Sequence, residues 1–133
     1  MKGYHDNIET LTTGNSDFRR VLYTGKHLQL VLMTLQPGEE IGSEVHDGID
    51  QFFRFEEGEG VVDIDGTAHS VEDGSGVIVP SGARHNVRNT GDRPLKLYTL
   101  YGPPEHKDQI VQATKAEADA RHHDEEFDGT TTE

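Results

Sequence analysis

Between Asp17 and Tyr101 the chain alternates short runs of apolar and β-branched residues with glycine-bearing turns, a rhythm that predicts an all-β barrel or sandwich. The runs DFRRVLYT, HLQLVLMTLQ, EIGSEVH, QFFRFEE, GVVDID, TAHSV, GVIVP, HNVRN and LKLYTLY read as strands. Between them lie PGEE, DGID, EGEG, DGT, EDGSG, PSGA and TGDRP. These are turn material: glycine reaches positive φ without a Cβ clash, proline presets φ, and Asp and Asn bond to nearby backbone. Asp65-Gly66 marks the sharpest hairpin,. No segment of this span carries a helical period. After Tyr101, GPPEHKD breaks the pattern, and TKAEADARHH is the one stretch whose composition favours helix,. Thr114 and Glu117 there have the spacing of a capping box. The acidic end, DEEFDGTTTE, is short of apolar residues and is expected to be disordered,. A chain of 133 residues suits one domain,. Residues 1–113 are read as the barrel with its N-terminal strands, and 114–133 as a short C-terminal helix and acidic tail.

Composition narrows the functional classes. With 32% apolar residues and 15 glycines, the core is adequate but lean. The absence of cysteine removes disulfides, thiolate ligands and thiol nucleophiles. The opening MKGYHDNIETLTTG lacks the apolar run of a signal peptide, and no later window approaches the roughly 18 apolar residues of a membrane span. A cytoplasmic protein with no membrane partner is expected. Twenty-five Asp and Glu stand against 12 Lys and Arg, a formal net charge of −13, which argues against nucleic acid as a partner. Two explanations of the charge stay open: a halophilic, salt-adapted surface, or plain solubility.

The polar residues that interrupt the strand pattern carry the chemistry. On a strand, residues two apart share a face, so Glu44 and His46 point together. In DQFFRFEE, Gln51 shares its face with Phe53 and Phe55, whereas Asp50 falls with Phe52, Arg54 and Glu56; Gln51 therefore belongs to the interior. His85 shares a face with Val87 and also points inward. One carboxylate, two imidazoles and one amide oxygen facing a barrel interior are costly to bury unpaired, and a divalent cation removes that cost. His27 and His69 read as surface residues of hairpins. His122 and His123 read as a histidine pair in a solvated tail.

Gly38, Glu44, His46, Gln51 and Gly58 stand at the spacings of the first motif of the cupin superfamily, and Gly74, Pro80, Gly82, His85 and Asn89 at those of the second, with 15 residues between the two motifs. Over residues 28–101 the chain therefore resembles a small single-domain cupin. The resemblance implies a double-stranded β-helix, or jelly-roll barrel, and a homodimer paired through a strand face. It also implies a metal held by Glu44, His46, Gln51 and His85. Two positions depart from the usual pattern: Glu44 stands where the first histidine is usual, and Gln51 where glutamate is usual. One anionic ligand remains, so the charge balance is kept. Oxygen ligands mixed with imidazole suit manganese, iron, nickel or zinc. The resemblance further implies a small polar substrate such as a sugar or keto acid, and a metal-dependent enzyme of isomerase or lyase type. Tyr101, on a face with Leu97 and Thr99, is a candidate catalytic residue. The alternatives are a metal-dependent dioxygenase and a non-catalytic module that senses a small ligand or a metal.

Overall fold

The computed structural model describes residues 1–122 and 124–133; His123 lies outside the described residues. Helix α1 (Ile8–Gly14) precedes strands β1 (Arg19–Thr24), β2 (Gln29–Leu35), β3 (Asp50–Glu57), β4 (Gly60–Ile64), β5 (Thr67–Val71), β6 (Gly76–Val79), β7 (His85–Asn89) and β8 (Leu95–Gly102). A short strand β9 (Val111–Gln112) and helix α2 (Lys115–Ala120) follow. All strand pairs are antiparallel. They form a six-stranded sheet in the order β6-β3-β8-β2-β1-β9 and a three-stranded sheet in the order β5-β4-β7. The architecture is the expected all-β jelly roll with a short C-terminal helix.

Register explains how the interior is divided. Across the large sheet, Phe55 faces Leu97 and Leu97 faces Met33; one step along, Phe53, Thr99 and Val31 align; a further step along, Gln51, Tyr101 and Gln29 align. Every member of these rows is buried. The barrel is thus apolar at one end and polar at the other. On the small sheet Val62 faces Val87 and Ile64 faces His85, so His85 belongs to the polar end. Burying Phe53 and Phe55 contributes roughly 1.5–3 kcal/mol each, and the same strand carries Gln51 to the site. Gly58 ends β3 at φ 95°, where a Cβ would lie 2.6 Å from the Pro94 carbonyl oxygen, so only glycine lets the two chain segments approach so closely. Asp65 and Gly66, at φ 46° and 85°, close the β4–β5 hairpin.

Four local expectations are revised. EIGSEVH is not a regular strand: it meets β7 through isolated bridges, Glu40 with Arg88 and Glu44 with His85. Residues 8–14, whose threonines and glycine disfavour helix, nonetheless form α1. Asn7 caps it, accepting from the Thr10 N–H at 3.0 Å, and the helix packs on β8, β3 and β2. At α2, Thr114 does accept from the Glu117 N–H at 3.1 Å, but the Glu117 carboxylate returns to Ala113 N–H rather than to Thr114. The acidic end, expected to be disordered, lies against the barrel. Lys107 N–H donates to Glu125 O at 2.9 Å, Phe127 N–H to Glu105 O at 3.0 Å, and Thr132 N–H to Thr24 O at 2.8 Å. Backbone pairing supplies what the sparse apolar content does not.

Candidate metal centre

The second motif's turn positions the first motif's loop. Pro80, Ser81 and Gly82 reverse the chain, with Gly82 at φ 87°. Gly82 N–H donates to His46 O at 3.0 Å, Gly48 N–H to Ser81 Oγ at 2.7 Å, and Ser81 N–H to Asp50 Oδ1 at 2.8 Å. Asp50 is therefore an outward structural acceptor, while Gln51, 4% exposed, faces the interior. Glu44 and His85 exchange both backbone hydrogen bonds, at 2.8 and 2.9 Å, which sets the two side chains next to each other. Motif residue Asn89 closes the other end, donating to Leu35 O and Arg93 O at 2.9 Å.

Glu44, His46 and His85 each offer one ligand atom, and these atoms lie within 4.8 Å of one another. His46 Nε2 is 2.9 Å from Glu44 Oε2, and the two imidazole centroids are 5.2 Å apart. His85 Nδ1 faces the Ala83 carbonyl oxygen at 3.1 Å. A carbonyl only accepts, so Nδ1 carries the proton and Nε2 keeps its lone pair for the interior. Gln51 Nε2 donates to Thr99 Oγ1 at 3.0 Å, whereas Gln51 Oε1 is buried with no donor. The space bounded by Glu44, Gln51, Phe53, His85 and Tyr101 has a volume of about 10 Å³, the size of one ion or water molecule.

Burial alone would raise the Glu44 pKa. The hydrogen bond from His46 and the positive charges of His46 and Arg19 outweigh it, and the carboxyl is held below its ordinary range. Burial would lower His46, but the hydrogen bond to Glu44 and the charges of Glu105 and Glu44 hold the imidazole above its ordinary value. A proton thus fits between these residues, as a cation would.

Two further residues reach the centre that the strand pattern does not reveal, and a third, Arg19, is buried on β1. Glu105 Oε1 lies 3.6 Å from His46 Nδ1. His106 Nε2 lies 3.2 Å from the Tyr101 hydroxyl. Arg19 projects inward from β1 and is 8% exposed. Glu105 and His106 return to the barrel because Gln29, fully buried, accepts from both of their N–H groups at 3.2 and 3.0 Å and donates to His106 O at 2.7 Å. Burial raises the Tyr101 pKa; burial, with the charges of Arg19, His46 and His122, holds His106 well below the ordinary imidazole value. Tyr101 therefore stays protonated and donates, and His106 stays neutral and accepts. His27 and His69 are exposed on their hairpins, as expected of surface residues.

Residues 31–101 match the family model described as Cupin domain. The chain is 47% identical over 118 residues to the Bacillus subtilis protein YrkC, a match that covers 84% of this chain and 63% of YrkC. It is 38% identical over 108 residues to protein L612 of Acanthamoeba polyphaga mimivirus, covering 77% of this chain and 67% of that one. The chain thus spans about two thirds of the length of these relatives. Among solved structures, BH2720 of Bacillus halodurans is 47% identical and superimposes with a TM-score of 0.88, covering 90% of this chain and 95% of that one.

Proposed function

Because the chain belongs to the cupin family, we propose that Glu44, His46, Gln51 and His85 hold a divalent metal ion and that the protein is an enzyme of isomerase or lyase type acting on a small polar carbonyl compound. Convergence of the donors carries this assignment: three ligand atoms within 4.8 Å of one another, beside a Gln51 oxygen buried without a donor. Such an orphaned acceptor costs about 1–3 kcal/mol, and a cation satisfies it. One carboxylate, two imidazoles and an amide oxygen suit manganese, iron, nickel or zinc. When bound, the ion supplies Lewis-acid polarisation of a carbonyl oxygen.

The chain's own residues do the rest. Ala83 O fixes the tautomer of His85, and Glu105, facing His46 Nδ1, orients the second imidazole, as outer carboxylates do for ligating histidines. Tyr101, edge-on to His46 with ring centroids 6.0 Å apart, holds a proton at its hydroxyl, with His106 as the acceptor behind it. Phe53, packed on the His85 ring, keeps water from that side.

Elemental analysis of untagged protein from metal-supplemented cultures is expected to find about one divalent ion per chain, and His85→Ala should lose it while its far-UV circular dichroism is unchanged. Loaded protein should then turn over a member of a panel of sugar acids, keto acids and diketones. Wild-type protein free of metal, or a His85→Ala variant that retains it, would overturn the assignment.

A further inference from the structure

A sheet ends in strands whose outer N–H and C=O groups have no ladder to join, and proteins ordinarily cover or blunt such edges. The two sheets end in β6 and β9 and in β5 and β7. The β7 edge is lined by residues 39–44, through bonds at Glu39, Ile41 and Glu44, and β9 is only two residues long. Strands β5 and β6 are bare. Along an antiparallel pair, bonded pairs recur at every second residue. Gly74 N–H donates to Phe55 O at 2.8 Å and Phe55 N–H to Ser75 O at 2.9 Å, and counting on from there the bonded pairs fall at Phe53 with Val77 and Gln51 with Val79. Gly76 and Ile78 therefore turn their N–H and C=O groups away from β3, and among the described residues no hydrogen bond reaches them. The strand, Gly-Val-Ile-Val, carries neither charge nor proline to deter a neighbour, and Ile78 is 69% exposed.

The surroundings of that edge have a shape and a sign. Beside it runs an open groove of about 390 Å³, with Ile64, His69 and Val71 on one side and Gly76, Val77 and Ile78 on the other. On the outer face Phe52, opposite Ile78, leans over Gly76, where a Cβ would lie 3.2 Å from Phe52 Cε1. A side chain brought alongside Gly76 on that face meets an aromatic ring and no Cβ. From Asp65 to Ala83 the chain holds three carboxylates, Asp65, Glu72 and Asp73, and no Lys or Arg. Arg54, opposite Gly76, is paired with Glu56 at 2.7 Å. Glu72 and Asp73, in the turn that leads into β6, take part in no ion pair among the described residues. The edge is apolar and the charge beside it is negative.

We propose that β6 receives an extended basic segment of a partner protein, which joins the six-stranded sheet as a further strand. Its backbone bonds to the free groups of Gly76 and Ile78. Its side chains alternate between faces, one set entering the groove over Ile64, Val71 and Val77 and the other lying on Phe52. Lys or Arg flanking the strand meets Glu72 and Asp73. In this mode of recognition main-chain bonds supply affinity and side-chain pockets supply selectivity. Charge decides between this occupant and a second copy of the chain. A copy would bring the same carboxylates and no cation to the contact, with a net charge of −13 on each side, so repulsion would replace attraction. The proposal does not depend on a metal.

The test titrates the isotope-labelled protein with acetylated peptides that carry Lys at both ends and, between them, a run of Val, Ile and Thr as long as β6; the controls are the same peptides ended by Glu. Lys-ended peptides are expected to shift the amide signals of Gly76 and Ile78 and to slow their hydrogen exchange, and Glu-ended peptides to leave both unchanged. Ile78→Pro removes the outward N–H and keeps the ladder to β3, since proline is tolerated on an edge strand whose N–H faces away. Affinity for the Lys-ended peptides should fall about tenfold in Ile78→Pro and severalfold when Glu72→Lys and Asp73→Lys are combined. Lys-ended peptides that leave Gly76 and Ile78 untouched, equal binding of Lys-ended and Glu-ended peptides, or full affinity in Ile78→Pro would overturn the proposal. If Ile78→Pro does not fold, Ile78→Lys, which sets a like charge on the exposed edge, is judged by the same criteria. Sedimentation of the wild type as a dimer that the Ile78 variant dissociates would also overturn it, by giving the edge to a second copy.

Discussion

At the scale of single residues, the exchange of carboxylate and amide between positions 44 and 51 decides how the centre holds charge. Gln51→Glu adds a second carboxylate near Glu44, and Thr99, which now accepts from Gln51, can turn its hydroxyl to donate instead. Around a divalent ion the extra charge increases attraction; without an ion it repels Glu44 and one of the two carboxyl groups takes up a proton. Chelator competition should therefore show tighter metal binding in Gln51→Glu, and weaker binding would remove Gln51 from the ligand set. His106 allows a second test. Its folded-state pKa is depressed, so the unfolded chain takes up a proton near pH 6.5 that the folded one refuses. Stability is lost as pH falls below about 6.5 toward the depressed value. His46, raised by its carboxylates, contributes with opposite sign: its stabilisation is present below about pH 6.5 and lost as pH rises through its folded value. His106→Gln keeps an acceptor for Tyr101 and leaves His46 alone, so its melting temperature should drop less than wild type between pH 7.5 and 5. Equal slopes would mean that His106 is free to protonate in the folded protein.

At the scale of elements, the segment after β8 is held by one amide. Gln29 is fully buried and bonds the backbone of Glu105 and His106. Gln29→Leu leaves those groups without their partner at about 1–3 kcal/mol for each one that stays buried. Hydrogen exchange should accelerate at residues 105–106 and spare β4 and β5, and uniform acceleration would show that the segment has no separate stability. The acidic end has a comparable role. Removing residues 124–133 deletes the partners of Lys107, Glu105 and Thr24, so the truncated chain should melt earlier, contrary to what its composition alone suggests.

These cases show where periodicity carries information. Strands β1 to β8 and the inward phase of Gln51 were legible, because alternation along a half-buried strand fixes which side chains face the core. EIGSEVH alternates as a strand does, but pairing with β7 at only two bridges does not make a ladder. Arg19 was not legible, since either residue of Arg19-Arg20 could face inward on pattern alone. Glu105 and His106 follow a Gly-Pro-Pro break, and the direction in which a chain returns after such a break is set by distant partners, here Gln29, 76 and 77 positions away. The ordered tail was missed for a related reason: its backbone pairs with residues 107, 105 and 24, and composition counts only the apolar surface a segment can bury.

At the scale of the whole molecule, net charge is the influence that no local contact settles. With 25 acidic and 12 basic side chains, at least 25 − 12 = 13 carboxylates have no cation of their own even if every Lys and Arg is paired. Added salt acts in two directions. It weakens exposed ion pairs such as Arg88–Asp63 and Lys115–Asp119, which contribute little in solvent, and it screens the repulsion among the unpaired carboxylates. The few pairs set a small ceiling on the loss, whereas repulsion acts among all the unpaired groups at once, so screening wins. The melting temperature should rise between 20 mM and 500 mM KCl, most steeply at the low end, because the screening length shrinks from about 10 Å at 0.1 M to about 3 Å at 1 M. A rise that levels off by about 0.5 M is what screening alone produces and fits a surface acidic for solubility. A rise that continues into molar KCl requires ions held at the surface beyond screening, the behaviour of a salt-adapted protein. A melting temperature that falls across the range would mean that the ion pairs outweigh the repulsion, and that the carboxylates are more closely matched by basic groups than their number implies.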